Sequence, residues 1–403
     1  MKIVIATAVF YPQINGVAVF SYNLAMGLAR RGHEVMVICP SRSGKRHSRT
    51  FDGVRMEYLK SIDVKVYPDQ VHAVPKRRQL FYKHGFHISL FPKREVGKLL
   101  SDFHPDVVHV QVSDPIGLSV VGWAKKHHVP VVTTEHNQPE VLTDPLHMPS
   151  FLKKPANAVL TAYFRNRQGK SDFVTMPTRQ AIDNLLKDHD LSVPVAAVSN
   201  GVDLTRFKPG KPDASIYQKY GIDPVSPTVL YVGRVDPEKK VGKVIEAFLE
   251  MVGEIKAQLV IVGDGVDKAR LEREYAGSNA VHFLGRVVNE DLSELYRVGD
   301  VFATASDIET QGIVLIEAAA SGLPLIAVNA GAVSEVCINE ENGFLCEPGS
   351  VSEMAKAMKK ILTDKELRER FSKKSLEIAK EHDFETTLDR FINIYNRVTS
   401  LKS

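Results

Sequence analysis

Along the chain, short apolar runs rich in Val and Ile are each followed by a longer stretch whose apolar residues recur at helical spacing. In the first half KIVIATA, HEVMVICP, PDVVHVQV, PVVTTEH and DFVTMPT read as buried strands. In the second half TVLYVGR, QLVIVGDG, AVHFLGR, DVFATAS, LPLIAVN and GFLCEP read the same way. Alternation of this kind predicts an α/β chain of parallel sheets covered on both faces by helices. Two sets of strands predict two doubly wound, Rossmann-like domains. The boundary is placed in Leu191 to Pro227, a stretch rich in Pro, Gly and Asp. That gives an N-terminal domain over 1–190, a C-terminal domain over 200–383 and a closing helix from Phe384 to Leu401.

A length of 403 residues suits two such cores better than one. No G-x-G-x-x-G follows the first strand, which argues against a dinucleotide enzyme. No run of about 18 apolar residues occurs, so no membrane-spanning helix is expected. The opening Lys2-IVIATAVF is too soon interrupted by Tyr11, Pro12, Gln13 and Asn15 to read as a signal peptide. The three cysteines, Cys39, Cys337 and Cys346, form no C-x-x-C. A reducing compartment without structural zinc follows.

Charge separates the halves. Residues 1–180 hold 25 Lys or Arg against 13 Asp or Glu, whereas 181–403 hold 27 against 35. The first half also has 11 of the 14 His. A basic half points toward phosphates or an anionic surface. Within it, Lys76 to Arg94 interleaves Arg77, Arg78, Lys83 and Lys93 with Leu80, Phe81, Tyr82, Phe86, Leu90 and Phe91. That composition suits an anionic membrane interface, and Phe151 to Lys170 adds a second basic, aromatic stretch. No nucleic-acid motif accompanies either.

Two segments of the second half carry candidate chemistry. The strand DVFATAS, Asp300 to Ser306, leads into Glu309 to Ala327, ETQGIVLIEAAASGLPLIA, where Gln311 and Gly312 stand in the turn before an apolar helix. A helix starting near Gly312 and Ile313 turns free backbone N–H groups and its positive dipole end toward the strand's carboxyl end, where they suit a diphosphate. Glu309 then lies in the loop beside whatever the phosphate carries. Glu317 lies further along and can accept from a vicinal diol such as a ribose. In Thr228 to Val241, TVLYVGRVDPEKKV, Arg234 and Lys239 stand at another strand's end. Ligands of open parallel sheets bind there, so two cations are placed to neutralise a diphosphate. The turn at Gly285 and Arg286 offers backbone to a nucleotide base. In the first half, Gly16 stands where a loop enters a helix and permits close phosphate approach. His136 ends the strand PVVTTEH, again on the ligand side. Glu135 is the weaker candidate because strand alternation turns it the other way.

GRVDPEKK, the NGVD of Asn200 to Asp203, ETQGIVLIEAAASGLP, the N-terminal YPQINGVA and Glu135-His136-Asn137 together resemble the retaining GT-B glycosyltransferases of family 4. The resemblance spans nearly the whole chain and is nearest to enzymes that glycosylate diacylglycerol or phosphatidylinositol. It departs from the family at Ser199, where Pro is common, and in the wording of the His motif. It implies two Rossmann-like domains facing a central cleft, with the closing helix packed back on the first. It further implies that Glu309 binds donor-sugar hydroxyls, Glu317 the ribose, Arg234 and Lys239 the diphosphate, and His136 the sugar.

The expected activity is therefore transfer of a hexose, glucose from UDP-glucose, with retention to a membrane lipid headgroup such as diacylglycerol. Catalysis would rest on positioning and leaving-group stabilisation by Arg234, Lys239 and the helix start. No D-x-D stands out as a metal site, so no metal or other cofactor is expected. The protein is expected in the cytoplasm, held peripherally on the inner face of the cell membrane. The competing readings are a soluble sugar or metabolite acceptor, a nucleotide-sugar epimerase of the same architecture, and a basic module binding RNA or membrane. An epimerase would yield product without acceptor, and an intact set of Arg234, Lys239, Glu309 and Glu317 speaks against a mere binding module.

Overall fold

All eleven apolar runs enter parallel sheets in the computed structural model, which describes residues 1–11, 16–64, 86–111, 114–136, 155, 158–159, 162, 169–186 and 191–402. The first elements are β1 (Lys2–Ala6), α1 (Gly16–Arg30), β2 (Glu34–Pro40), β3 (His47–Phe51), β4 (Val54–Leu59), β5 (Ile62–Val64) and β6 (Phe86–Ile88). There follow α2 (Lys93–Phe103), β7 (Val107–Val110), α3 (Pro115–Lys126), β8 (Val131–Thr134), β9 (Phe173–Met176), α4 (Arg179–Leu186) and β10 (Val195–Ala197). The second series begins with α5 (Ala214–Tyr220), β11 (Thr228–Val232), α6 (Val241–Val252), β12 (Gln258–Val262), α7 (Lys268–Glu274), β13 (Val281–Gly285) and α8 (Asn289–Val298). It ends with β14 (Val301–Ala303), α9 (Ile313–Ala320), β15 (Leu325–Val328), β16 (Gly343–Cys346), α10 (Val351–Thr363), α11 (Lys365–Lys380) and α12 (Phe384–Ser400).

The described residues form two compact units that divide between Asn200 and Gly201, and the chain rejoins the first unit at Glu385. In the first unit the sheet order is β10-β9-β8-β7-β1-β2-β4-β3, parallel except for the edge strand β3. One face is packed by α2 and α3 through Val96, Leu100, Ile116 and Val120. On α1 and α12, Phe20 meets Phe391 at 5.7 Å between ring centroids. Arg31 ties the two helices further, to Glu385 at 2.6 Å and Asp389 at 3.0 Å.

The second unit has the order β13-β12-β11-β14-β15-β16. Its strands β11, β12, β14 and β15 are buried on both faces, which explains their unbroken apolar runs. One face is covered by α6 and α10 through Val244, Phe248 and Met358, the other by α8 and α9 through Leu295, Leu315 and Ile316. Chain order reverses between β11 and β14, so the loops leaving these neighbours diverge and leave room at their carboxyl ends. These two loops carry Arg234 and Lys239 on one side and Glu309 on the other.

Three differences from the pattern have plain causes. DVFATAS pairs as a strand only over Val301–Ala303, because the chain then leaves the sheet to carry the Glu309 loop. Strand β3 is exposed along its whole length and so has no apolar signature. Strand β10 is a half-buried edge of three residues, too short to register.

Candidate functional site

The loop after β11 is fixed by the loop after β12. Val235 N–H donates to Asp264 O at 3.1 Å, and Val266 N–H to Asp236 Oδ1 at 2.9 Å. Gly263 permits this contact, since a Cβ there would lie 1.8 Å from Gly233 O. A single 3₁₀ turn, Pro237–Lys239, then carries Lys239 toward the neighbouring loop, where Nζ donates to Glu309 Oε1 at 2.6 Å. Both side chains are mostly buried. Arg234 is held on its own loop by Asp236 and by Glu238 at 2.6 Å, and Lys240 meets Asp307.

The Glu309 loop is anchored from β15. Ala332 N–H donates to Glu309 O at 3.1 Å, and Gly331 takes a φ of 58° beside it. A Cβ at Gly331 would stand 2.7 Å from Glu309 O, so both backbone conformation and space require glycine there. Gln311 is buried, and Gly312 caps α9, whose helical bonding begins with Leu315 N–H to Gly312 O at 2.8 Å. The first N–H groups of a helix lack intrahelical acceptors, so those of Gly312, Ile313 and Val314 are available to an anion.

Glu317 lies a turn further along α9, apart from the Lys239–Glu309 pair. Tyr296 Oη–H donates to its Oε2 at 2.8 Å. Glu317 is partly buried by surface area, yet enough protein packs around its carboxyl for desolvation to push it up to about 7. The bond from Tyr296 and the charge of Arg206 act in the opposite direction. Arg206 itself is steadied over the Phe207 ring at 4.7 Å.

In the first unit Gly16 opens α1 after β1 and is exposed, while Pro12–Asn15 lie outside the described residues. His136 follows the end of β8, with its Nε2 2.7 Å from Gln111 Oε1 and its ring 5.2 Å from that of Phe20. Burial pushes its pKa down to about 3, so the imidazole is neutral. Glu135 is buried and Asn137 lies outside the described residues.

The structure thus gathers Lys239, Glu309 and the start of α9 at the reversal point of the second sheet, with Arg234 on the same loop as Lys239. Gly16 and His136 belong to the first unit. Gly285 accepts from Gly263 N–H at 2.8 Å and takes a φ of 69°, with Arg286 exposed beside it. Of the basic residues singled out for a membrane, Lys93 is exposed in the first turn of α2, and Arg77, Arg78 and Lys83 lie outside the described residues. Sequence reasoning missed Tyr296, Gly331 and the Gln111–His109 pair behind His136. The pair stands at i, i+2 at the end of β7, a spacing that puts two polar side chains on one side of a strand in an otherwise apolar run. Among the described residues no group of three or more His, Cys, Asp or Glu could hold a metal ion. The chemistry on offer in the second unit is a cation and free N–H groups for a diphosphate, with carboxylates for hydroxyls on either side.

Two family models match the chain: glycosyl transferases group 1 over residues 213–377 and Glycosyltransferase Family 4 over residues 14–206. It is 31% identical over 353 residues to a GDP-mannose-dependent alpha-mannosyltransferase of Mycobacterium tuberculosis, an alignment covering 87% of this chain and 84% of that protein. It is 29% identical over 341 residues to the alpha-monoglucosyldiacylglycerol synthase of Acholeplasma laidlawii, covering 81% and 80%. Among solved structures, sucrose-phosphate synthase from Thermosynechococcus elongatus superposes with a TM-score of 0.76 at 19% identity, covering 99% of each chain.

Proposed function

The chain belongs to the family 4 glycosyltransferases, with their GT-B fold, and within that family we propose that it moves glucose from UDP-glucose to a membrane lipid headgroup such as diacylglycerol, with retention of configuration. The observation that carries the donor half is the Lys239–Glu309 pair beside the start of α9. A diphosphate arriving at the helix start draws Lys239 to itself and frees Glu309 for the hydroxyls of the sugar. Lys239, Arg234 and the N–H groups of Gly312 and Ile313 then take up charge as the bond from the anomeric carbon to phosphate breaks. The acceptor oxygen bonds to that carbon on the same face, and its proton passes to a phosphate oxygen. Glu317 holds the ribose, backbone at Gly285 and Arg286 borders the base, and Gln311 lines the sugar side. Gly16 gives the diphosphate a close backbone approach, and neutral His136 bonds a sugar hydroxyl. Cations and a helix dipole do here what a metal would, so transfer proceeds without one.

The acceptor half rests on the Acholeplasma relative, named as the synthase of an alpha-monoglucosyldiacylglycerol, and on one surface of the first unit. Phe91 is 92% exposed and Leu90 52%, immediately before Lys93 and Arg94. Exposed apolar side chains among cations suit an anionic bilayer surface, each Lys or Arg adding roughly 1 kcal/mol. No helix among the described residues is long and apolar enough to cross a membrane, so peripheral attachment to the inner leaflet is the proposed location. The mycobacterial relative favours a second reading, mannose from GDP-mannose. A donor screen over UDP, GDP and ADP sugars in EDTA, with and without lipid extract, separates the two. The proposal expects UDP-glucose turnover that rises with lipid. Turnover of GDP-mannose alone favours the second reading, turnover only with soluble acceptors removes the lipid, and epimerised donor without acceptor removes the transferase.

A further inference from the structure

Behind His136 lies a buried polar chain that runs to the C-terminal helix. Gln111, His109, Thr134, Thr175 and Tyr395 are all essentially inaccessible to solvent. His109 Nδ1 lies 2.6 Å from Tyr395 Oη on α12, and its Nε2 lies 2.6 Å from Thr134 Oγ1, which is in turn 2.6 Å from Thr175 Oγ1. The His109 ring is therefore pinned at both nitrogens. The amide nitrogen of Gln111 lies 3.3 Å from one of these nitrogens and 3.2 Å from the other, and this orients its carbonyl oxygen toward His136 Nε2 at 2.7 Å. Burial holds both imidazoles neutral, their pKa values pushed down to about 3, and His136 adds a smaller charge effect on His109.

A neutral imidazole has one N–H and one lone pair, and the hydrogen bond made by one nitrogen decides which the other presents. We propose that Gln111 is a positioning residue for His136: by accepting its Nε2–H, Gln111 turns the Nδ1 lone pair into the acceptor that meets a sugar hydroxyl. Tyr395 and His109 fix the amide, so the C-terminal helix takes part in setting the ring's tautomer. The opposite amide orientation would put a carbonyl oxygen against the His109 nitrogens and an NH₂ on His136, reversing the tautomer. The inference rests on His136 serving in sugar binding.

The test is long-range proton–nitrogen NMR on protein labelled with ¹⁵N-histidine, free of ligand, with His136 assigned by its loss in His136→Ala. The wild type should show His136 as the Nε2–H tautomer, without titration, from about pH 5.5 to about pH 8.5. Gln111→Leu should introduce the Nδ1–H form and lower kcat for UDP-glucose roughly tenfold, with KM within about twofold. Gln111→Glu is matched in size and keeps the acceptor. It should restore the Nε2–H tautomer while bringing His136's ionisation into the measured range, a change that a merely structural Gln111 would not cause. A wild-type ring in the Nδ1–H form, or an unchanged tautomer in Gln111→Leu, overturns the proposal, and the first needs no variant to fold. Full activity in His136→Ala would instead remove the sugar-binding role of His136, and the spectra would still decide whether Gln111 sets its tautomer.

Discussion

If Glu317 holds the ribose as proposed, donor affinity should depend on pH near neutrality. The Glu317 carboxyl is raised from the ordinary 4.5 to about 7, and a ribose diol needs the ionised form as acceptor. Below that value a proton competes with the donor. If binding returns the group to its ordinary value, the dissociation constant of UDP-glucose should rise about tenfold between about pH 8 and about pH 6, roughly 1.4 kcal/mol. UDP-glucose is the suitable probe because its diphosphate, esterified at both ends, does not titrate in this range. Isothermal titration across the range gives the profile, and proton uptake or release appears in buffers of different ionisation enthalpy. Tyr296→Phe removes the bond that favours the ionised form, so the break in the profile should move to higher pH. Glu317→Gln should bind weakly and without this pH dependence. The sign for stability is opposite. A carboxyl raised in the folded state favours the fold below its ordinary value and loses that contribution as pH climbs to about 7. Through that window this group should lower the Tm of the free protein, while the Tm gained on adding UDP-glucose grows. A flat affinity profile in the wild type, or one that Tyr296→Phe leaves in place, would rule out ionised Glu317 as the acceptor for the ribose diol.

Lys239→Ala and Arg234→Ala should each lower turnover by about 10² or more, because each removes charge stabilisation from the departing diphosphate; steady-state assays that find an unchanged rate dispose of that role. Gly331→Ala forces a Cβ against Glu309 O at a left-handed φ, so transfer should fall roughly tenfold with a lower Tm, while affinity for free UDP stays within about threefold. Equal damage to UDP affinity would mean that the Glu309 loop serves the whole donor rather than its sugar end. Replacing Arg77, Arg78, Lys83 and Lys93 with Ser, or Phe91 alone with Ser, should abolish sedimentation with anionic vesicles and leave soluble donor turnover intact. Wild-type protein that ignores such vesicles at low salt removes the lipid surface from the account.

What the sequence disclosed followed from where signals are local. Apolar runs such as TVLYV and LIAV mark buried parallel strands because both faces are covered, and ETQGIVLIE marks a strand-to-helix turn by its glycine and its change of period. What stayed hidden was long-range or polar. Strand β3 is exposed throughout and forms only because β4 lies beside it. Gly331 reads as an ordinary loop glycine until Glu309, 22 positions earlier, is found against it. Tyr296 and Glu317 are 21 apart, and His109 and Tyr395 are 286 apart, so no spacing rule joins them. Charge was visible but its pairing was not. Lys239 and Arg234 announced cations at a strand end, and only the fold shows Lys239 already committed to Glu309.

Retaining transfer of glucose to a lipid hydroxyl would leave its signature at the product's anomeric centre. Its most direct measurement is proton and carbon NMR of the product formed from UDP-α-glucose labelled with ¹³C at the anomeric carbon, presented with anionic vesicles containing diacylglycerol. Label is expected in the lipid fraction as an α-glucoside, identified by its small three-bond H1–H2 coupling and its large one-bond C1–H1 coupling. A β-linked glucolipid would contradict retention, and label that remains in free glucose or in a soluble product would contradict the lipid acceptor.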